Sequence, residues 1–198
     1  MNTVTPRVFI AATRQNDGKT TTSLGLLSAL QGRFPRVGYI KPVGQRFVEI
    51  AEQKIDEDTV LMDAVYKLNC PLVDMSPIAV EPDFTRKYLA ETNYEALVRR
   101  IQKSFDRVAW EKELVLCEGS GHAGVGAVFD LSNAQVAKVL GAKVVLVTRG
   151  ACTSPAARTS SSSPAVRVAM PLAKPARFNA GRSSASTQCA GPSQRETT

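Results

Sequence analysis

The sequence has no CxxC pair, no long apolar run and almost no aromatic residues where its positive charge is densest, and each absence removes a class of function. Its four cysteines, Cys70, Cys117, Cys152 and Cys189, lie far apart. That spacing argues against a zinc site or a disulfide framework and fits a reducing cytosol. No apolar stretch approaches the roughly 20 residues a membrane helix needs. Met1 to Arg7 hold no basic segment leading into an apolar one, so no export signal is read there. The expectation is a cytoplasmic protein with no membrane role. The net charge of +7 raises the question of nucleic acid. Six of the 25 basic side chains but only one of the 18 acidic ones fall in residues 151–198, which leaves the first 150 residues close to neutral. Phe178 is the only aromatic residue among the arginines of that stretch. A stacking platform for bases is absent, and no nucleic-acid partner is expected.

What is present is enough for one domain with a real core: 198 residues, 43% of them hydrophobic and 22% charged. Organisation changes at Gly150. Beyond it come Ser, Ala, Pro, Thr and Arg in no periodic order, and a run such as Thr159 to Pro164 buries too little apolar surface to offset its ordering entropy. Residues 151–198 are therefore expected to be a disordered tail behind an incomplete domain at 1–150. Their abrupt loss of periodicity reads as the out-of-frame or otherwise aberrant end of a longer parent.

Within 1–150, short apolar runs alternate with amphipathic segments. Arg7–Ala12, Arg36–Lys41, Glu113–Cys117 and Lys143–Thr148 read as buried strands. Thr20–Gln31 reads as a helix with Leu24, Leu27, Ser28 and Leu30 inward, and Asp58–Leu68 as one with Val60, Leu61, Ala64, Val65 and Leu68 inward. Tyr94–Asp106, with Leu97, Val98, Ile101 and Phe105, and Asn133–Leu140, stopped by Gly141, complete the set. This alternation predicts an α/β fold with a parallel sheet and helices on both faces. Ligands bind such sheets at the carboxyl ends of the strands, so the loops after Ala12, Lys41, Cys117 and Thr148 carry the interest.

The first of these loops is Thr13-Arg14-Gln15-Asn16-Asp17-Gly18-Lys19-Thr20, with a helix starting at once. It follows the phosphate-loop pattern GxxxxGK[ST] with Thr13 in place of the first glycine. Backbone N–H groups from Asn16, Asp17, Gly18, Lys19, Thr20 and Thr21 can curl around a phosphate, aided by the positive end of the helix. Gly18 allows close approach, Lys19 supplies charge and the Thr20 hydroxyl can hold Mg²⁺. The competing reading, a polar turn that happens to contain Gly-Lys-Thr, fits the strand–loop–helix context less well. The second strand runs into Lys41-Pro42-Val43, and a lysine there can reach a phosphate or an anionic substrate. Asp56-Glu57-Asp58 follows, readable by itself as acidic first-turn residues that complement a helix dipole. The third strand ends in Cys117-Glu118-Gly119-Ser120-Gly121-His122. A carboxylate at Glu118 stands where a magnesium-binding acid is needed, and the glycines permit close approach. His122, the only histidine, sits in the same loop.

In this order the motifs resemble dethiobiotin synthetase and its relatives, the cobyrinic acid diamide synthases and the N-terminal domain of some phosphotransacetylases. Ala12 to Thr20 is similar to that group's GTDTxxGKT, Lys41-Pro42-Val43 to its Lys-Pro-Val, and Glu118-Gly119-Ser120-Gly121 to its Glu-Gly-Ala-Gly. Asp58, with Asp56 as the other candidate, stands for its acidic residue between them. The resemblance covers about residues 7–150. It implies a P-loop NTPase fold, Lys19 and Lys41 on phosphates, and Thr20, Asp58 and Glu118 arranging Mg²⁺, with ATP as cofactor. It further implies activation of a carboxylate or carbamate on a small molecule by phosphoryl transfer, in a chain that pairs into a homodimer. Arg14 stands where true dethiobiotin synthetases commonly have Asp, which points away from diaminopelargonate as substrate. Two other readings remain open: a non-catalytic ATP-binding regulatory module, and a truncated product that has lost its activity.

Overall fold

The structure, a computed structural model, describes residues 1–149 and 164–168. Its centre is a five-stranded sheet built from β1 (Arg7–Ala12), β2 (Val37–Ile40), β7 (Leu114–Glu118), β8 (Lys143–Arg149) and β9 (Pro164–Val168), in the spatial order β2-β7-β1-β8-β9. The first four are mutually parallel, and β9 runs antiparallel to β8. Every residue of β2 and β7 is buried, whichever side of the sheet it faces, so both faces of these strands are covered. Phe9, Tyr39, Ile40, Leu116, Ile101 and Phe105 form the centre of the core.

The helices are α1 (Lys19–Gln31), α2 (Glu57–Tyr66), α3 (Leu72–Met75), α4 (Phe84–Ala90), α5 (Tyr94–Val108) and α6 (Asn133–Leu140). Local chemistry sets their ends. Asn93 accepts from the Ala96 N–H at the start of α5, Ser132 accepts from the Gln135 N–H at the start of α6, and Gly141 closes α6 in the left-handed region. All eight expected elements are found, most within two residues of the expected ends.

Two helices sit on the sheet with a rotation different from the expected one. In α1 the inward residues are Ser23 and Leu27, with Leu24 and Leu30 half-buried and Ser28 exposed. In α2 they are Thr59 and Met62, while Leu61, Ala64 and Val65 face outward. Asp56 caps α2 through the Asp58 N–H, and Asp58 is tied to Lys41. Those two anchors orient the helix at its first turn, so the Leu61–Val65 stripe is left on the solvent side.

Between β2 and α2 the chain makes structure that periodicity did not announce. Strand β3 (Val43–Gly44) pairs in parallel with β6 (Ile78–Ala79), and β4 (Phe47–Ile50) forms a hairpin with β5 (Gln53–Asp56). The hairpin turns on Ala51 and Glu52, both at positive φ, as a two-residue turn requires. A single 3-10 turn, Ala127–Phe129, precedes α6. Of residues 151–198, expected to form a disordered tail, 164–168 supply β9, and the rest of that expectation lies outside the described residues. Among the described residues, no helix is long and apolar enough to cross a membrane, and Cys70 and Cys117 are free thiols.

Candidate functional site

The strand order decides what meets. Because β7 lies between β2 and β1, the residues that leave the carboxyl ends of three neighbouring strands converge: Lys41 after β2, Glu118 at the end of β7, and the loop from Thr13 after β1. They surround a cleft of about 270 Å³ lined by Gln15, Asn16, Gly18, Lys19, Thr20 and Thr21 on one side. Lys41, Gln45, Arg46, Asp58, Glu118, Ser120 and Gly121 line the other.

The loop from Thr13 to Gly18 is shaped by its own side chains. Asp17 Oδ2 accepts from the Thr13 hydroxyl and from the Arg14 N–H, each at 3.0 Å, and Thr13 also reaches the Thr148 hydroxyl at the end of β8. Asn16 (φ +64°) and Gly18 (φ +89°) take left-handed conformations, so the backbone curls before α1 begins. A Cβ on Gly18 would meet nothing within 4 Å. The glycine is there for its φ rather than for lack of room. This curl followed by a helix N-terminus is an anion-binding concavity.

Across the cleft stands a dense charge network. Lys41, nearly buried, is ion-paired with Asp58 and with Asp56 Oδ1, the latter at 2.9 Å. Burial alone disfavours its charge, but the carboxylates of Asp56, Glu118 and Asp58 outweigh burial and hold the ammonium above its ordinary pKa. Glu118 is fully buried at the cleft floor, where Thr20 donates to Oε1 at 3.0 Å and Tyr39 donates to Oε2 at 3.2 Å. Burial pushes its carboxyl pKa up, against the opposing pull of Lys41. Asp56 is likewise raised by burial. Its Oδ2 has no hydrogen-bond partner and packs against Gly44, where a Cβ would lie 2.5 Å away. Lys19 turns across the cleft and donates to the Gly121 carbonyl, and burial lowers its pKa.

Of the residues singled out in the sequence, Asn16, Gly18, Lys19, Thr20, Thr21, Lys41, Asp58 and Glu118 all reach this one cleft. Asp17 does not line it; its side chain is turned inward to brace the loop. His122 is exposed and accepts from the Gly124 N–H at 3.1 Å, shaping its own loop. Sequence reasoning assigned no role in the site to the side chains of Tyr39, Gln45, Arg46 and Ser120. A signal for Tyr39 was available, since a tyrosine inside an otherwise apolar strand needs a partner for its hydroxyl. Gln45 and Arg46 carried none, because the short β3–β6 pairing that aims them is invisible to periodicity.

The chemistry of the donors suits a hydrated hard cation with polyphosphate: one hydroxyl, two carboxylates and two ammonium groups around a curled backbone. Among the described residues no group of three or more His, Cys, Asp or Glu could hold a metal alone. A magnesium site completed by substrate phosphates does not need one.

A phosphate loop leading from the central strand of a parallel sheet into a helix, with a carboxylate at the end of the adjacent strand, defines the P-loop NTPase class. Within that class the chain belongs to the AAA domain family, whose model matches residues 6–179. The match continues past Gly150, beyond the point where the motif resemblance had stopped. Over 152 residues the chain is 28% identical to the ATP-dependent dethiobiotin synthetase of a Sulfurovum species, covering 72% of this chain and 68% of that protein. With ATP-dependent dethiobiotin synthetase BioD 2 of Salmonella typhimurium the identity is 31% over 116 residues, or 58% and 48% of the two chains. A phosphate acetyltransferase of Pseudomonas aeruginosa is 30% identical over 142 residues, 70% of this chain but 19% of that protein. These matches make it a P-loop NTPase of the dethiobiotin synthetase-like type.

Proposed function

We propose that the cleft binds Mg·ATP and uses it to activate a carboxylate or carbamate of a small molecule by phosphoryl transfer. The observation that carries this reading is the convergence of Lys19, Thr20, Lys41, Asp58 and Glu118, from four separate segments, on one cleft beside the curled loop. Backbone N–H groups from Asn16 to Thr21 and the start of α1 hold the phosphate chain. Thr20, Asp58 and Glu118 are the oxygen donors for Mg²⁺, which supplies charge neutralisation across the phosphates when bound. Lys19, steadied by the Gly121 carbonyl, meets the terminal phosphates, and Lys41 steadies the transferred group from the opposite wall. The acceptor enters along Gln45 and Arg46. Nothing here is covalent chemistry by the protein, whose part is positioning and charge. The setting we propose is a cytoplasmic homodimer.

A second reading is favoured by the Pseudomonas match, in which this segment corresponds to a fifth of a larger protein: the domain binds ATP without turnover and regulates. Calorimetry with Mg·ATP, comparing the chain with Lys19→Ala, tests the shared premise. Saturable binding that the substitution abolishes supports a working phosphate loop. ATP hydrolysis stimulated by a carboxylate or diamine then marks the enzyme, and binding without hydrolysis marks the sensor. If neither protein binds, both readings fail.

A further inference from the structure

Among the contacts that hold the glycine-rich strap after Glu118, one side chain from outside the cleft reaches two of its carbonyls. Asn133, the first residue of α6, is 4% exposed, and its Nδ2 donates to the Ser120 carbonyl at 2.8 Å and to the His122 carbonyl at 3.2 Å. Its Oδ1 accepts from the Ser120 hydroxyl at 3.5 Å. The two carbonyls it holds flank Gly121, whose own carbonyl receives the Lys19 ammonium. Packing around this anchor is close. A Cβ on Gly119 would lie 2.6 Å from Asn133 Oδ1 and 2.9 Å from Phe9 Cε1, and one on Gly121 would lie 2.7 Å from Gln45 Oε1. The N–H of Gly119 is tied to the Ile10 carbonyl at 2.8 Å, which fixes the strap's start to β1.

An apolar residue at the start of α6 would cover the sheet as well as an asparagine does. A buried amide is tolerated only when its donors are met, and here both are met by the strap. The strap in turn decides where Lys19 can rest. The Lys19 ammonium is attracted most strongly by Glu118, then by Asp58 and Asp17, and repelled by Lys41. With the Gly121 carbonyl displaced, it would collapse onto Glu118, and both groups would be drawn away from the phosphates and their cation.

We propose that Asn133 is a positioning residue for Lys19, holding the Ser120–His122 backbone so that the ammonium is suspended over the terminal-phosphate position. This inference rests on the ATP-binding reading above. The phosphate-loop lysine reaches the β- and γ-phosphates, so misplacing it weakens ATP more than ADP, whereas a loss of general stability weakens both alike. The test is calorimetric binding of Mg·ATP and Mg·ADP to the chain and to Asn133→Ala, with melting temperatures measured alongside. Asn133→Ser, which keeps one donor, serves if the alanine variant does not fold. The expected result is a loss of ATP affinity of about tenfold or more, about 1.4 kcal/mol, with ADP affinity nearly unchanged. Lys19→Ala should show the same bias. Equal losses for the two nucleotides, or no loss for either in a folded variant, overturn the positioning role and leave the ATP-binding reading standing. If the unsubstituted chain binds neither nucleotide, both fall together.

Discussion

Lys41 is the counter-charge for the acidic residues around it, and replacing it with methionine isolates that role. The substitution keeps the length of the side chain and removes the ammonium. It leaves Asp56, whose side chain is 2% exposed, and fully buried Glu118 without their main cation, and it frees Asp58, which is about a quarter exposed and can be solvated. Removing one partner of a buried pair costs about 3–5 kcal/mol, because the remaining charge is uncompensated. Most of that falls on Asp56 and Glu118. Against a total stability of about 5–15 kcal/mol for an ordinary domain, the variant is marginal at pH 8. The penalty should depend on pH with a definite sign. Burial already raises both carboxyl pKa values, and loss of Lys41 raises them further. Over the acid side of neutrality the folded variant then holds protons that its unfolded chain has released, so its stability falls as pH rises. Urea unfolding followed by circular dichroism at pH 5, 6.5 and 8 measures this. We expect the difference from the unsubstituted chain to be largest at pH 8 and much smaller at pH 5. Adding Asp56→Asn to Lys41→Met should recover part of the loss at pH 8. A pH-independent penalty, or one under about 1 kcal/mol at pH 8, would refute the reasoning.

The same logic predicts that Glu118→Gln is more stable than the unsubstituted chain at pH 8. The folded carboxyl holds its proton to a higher pH than the unfolded one, and its ionisation cost, present above that pKa, vanishes with the amide. Thermal melts from pH 4.5 to 8 should show the gain shrinking toward acid; a variant less stable at pH 8 would count against it. The orientation of α2 is tested by a pair of substitutions. Met62→Ala, at a fully buried site, should cost about 2–5 kcal/mol. Leu61→Ser, on the outer face, should stay within about 0.5 kcal/mol in denaturant titrations, and the opposite ranking would mean that Leu61 faces the core.

How much of this was legible in the sequence follows from the range of the forces involved. A strand such as Arg7–Ala12 announces itself because burial on both faces demands an unbroken apolar run. The phosphate loop does so because its chemistry is local: a glycine at positive φ, a lysine and a hydroxyl within three residues, then a helix. Helix α5 was legible for a similar reason, with one apolar stripe of Leu97, Val98, Ile101 and Phe105. Helix α2 carried two usable stripes, and the choice between Met62 and Leu61 was made by Asp58 reaching Lys41, a contact across 17 positions that no window of periodicity contains.

The sequence by itself therefore determined the α/β class, the strand and helix order, the phosphate loop and the identity of the groups that would bear charge, since each depends on neighbours in the chain. Only the tertiary structure decided how those groups are shared. Insertion of β7 between β1 and β2 brought Glu118 beside Thr20 and Tyr39, and paired Lys41 with Asp56 as well as Asp58. The same packing turned the Asp17 side chain away from the cleft and made Asn133 the anchor of the strap under Lys19. Burial and charge balance depend on what surrounds an atom in three dimensions, and the surroundings here come from segments as much as 135 residues apart.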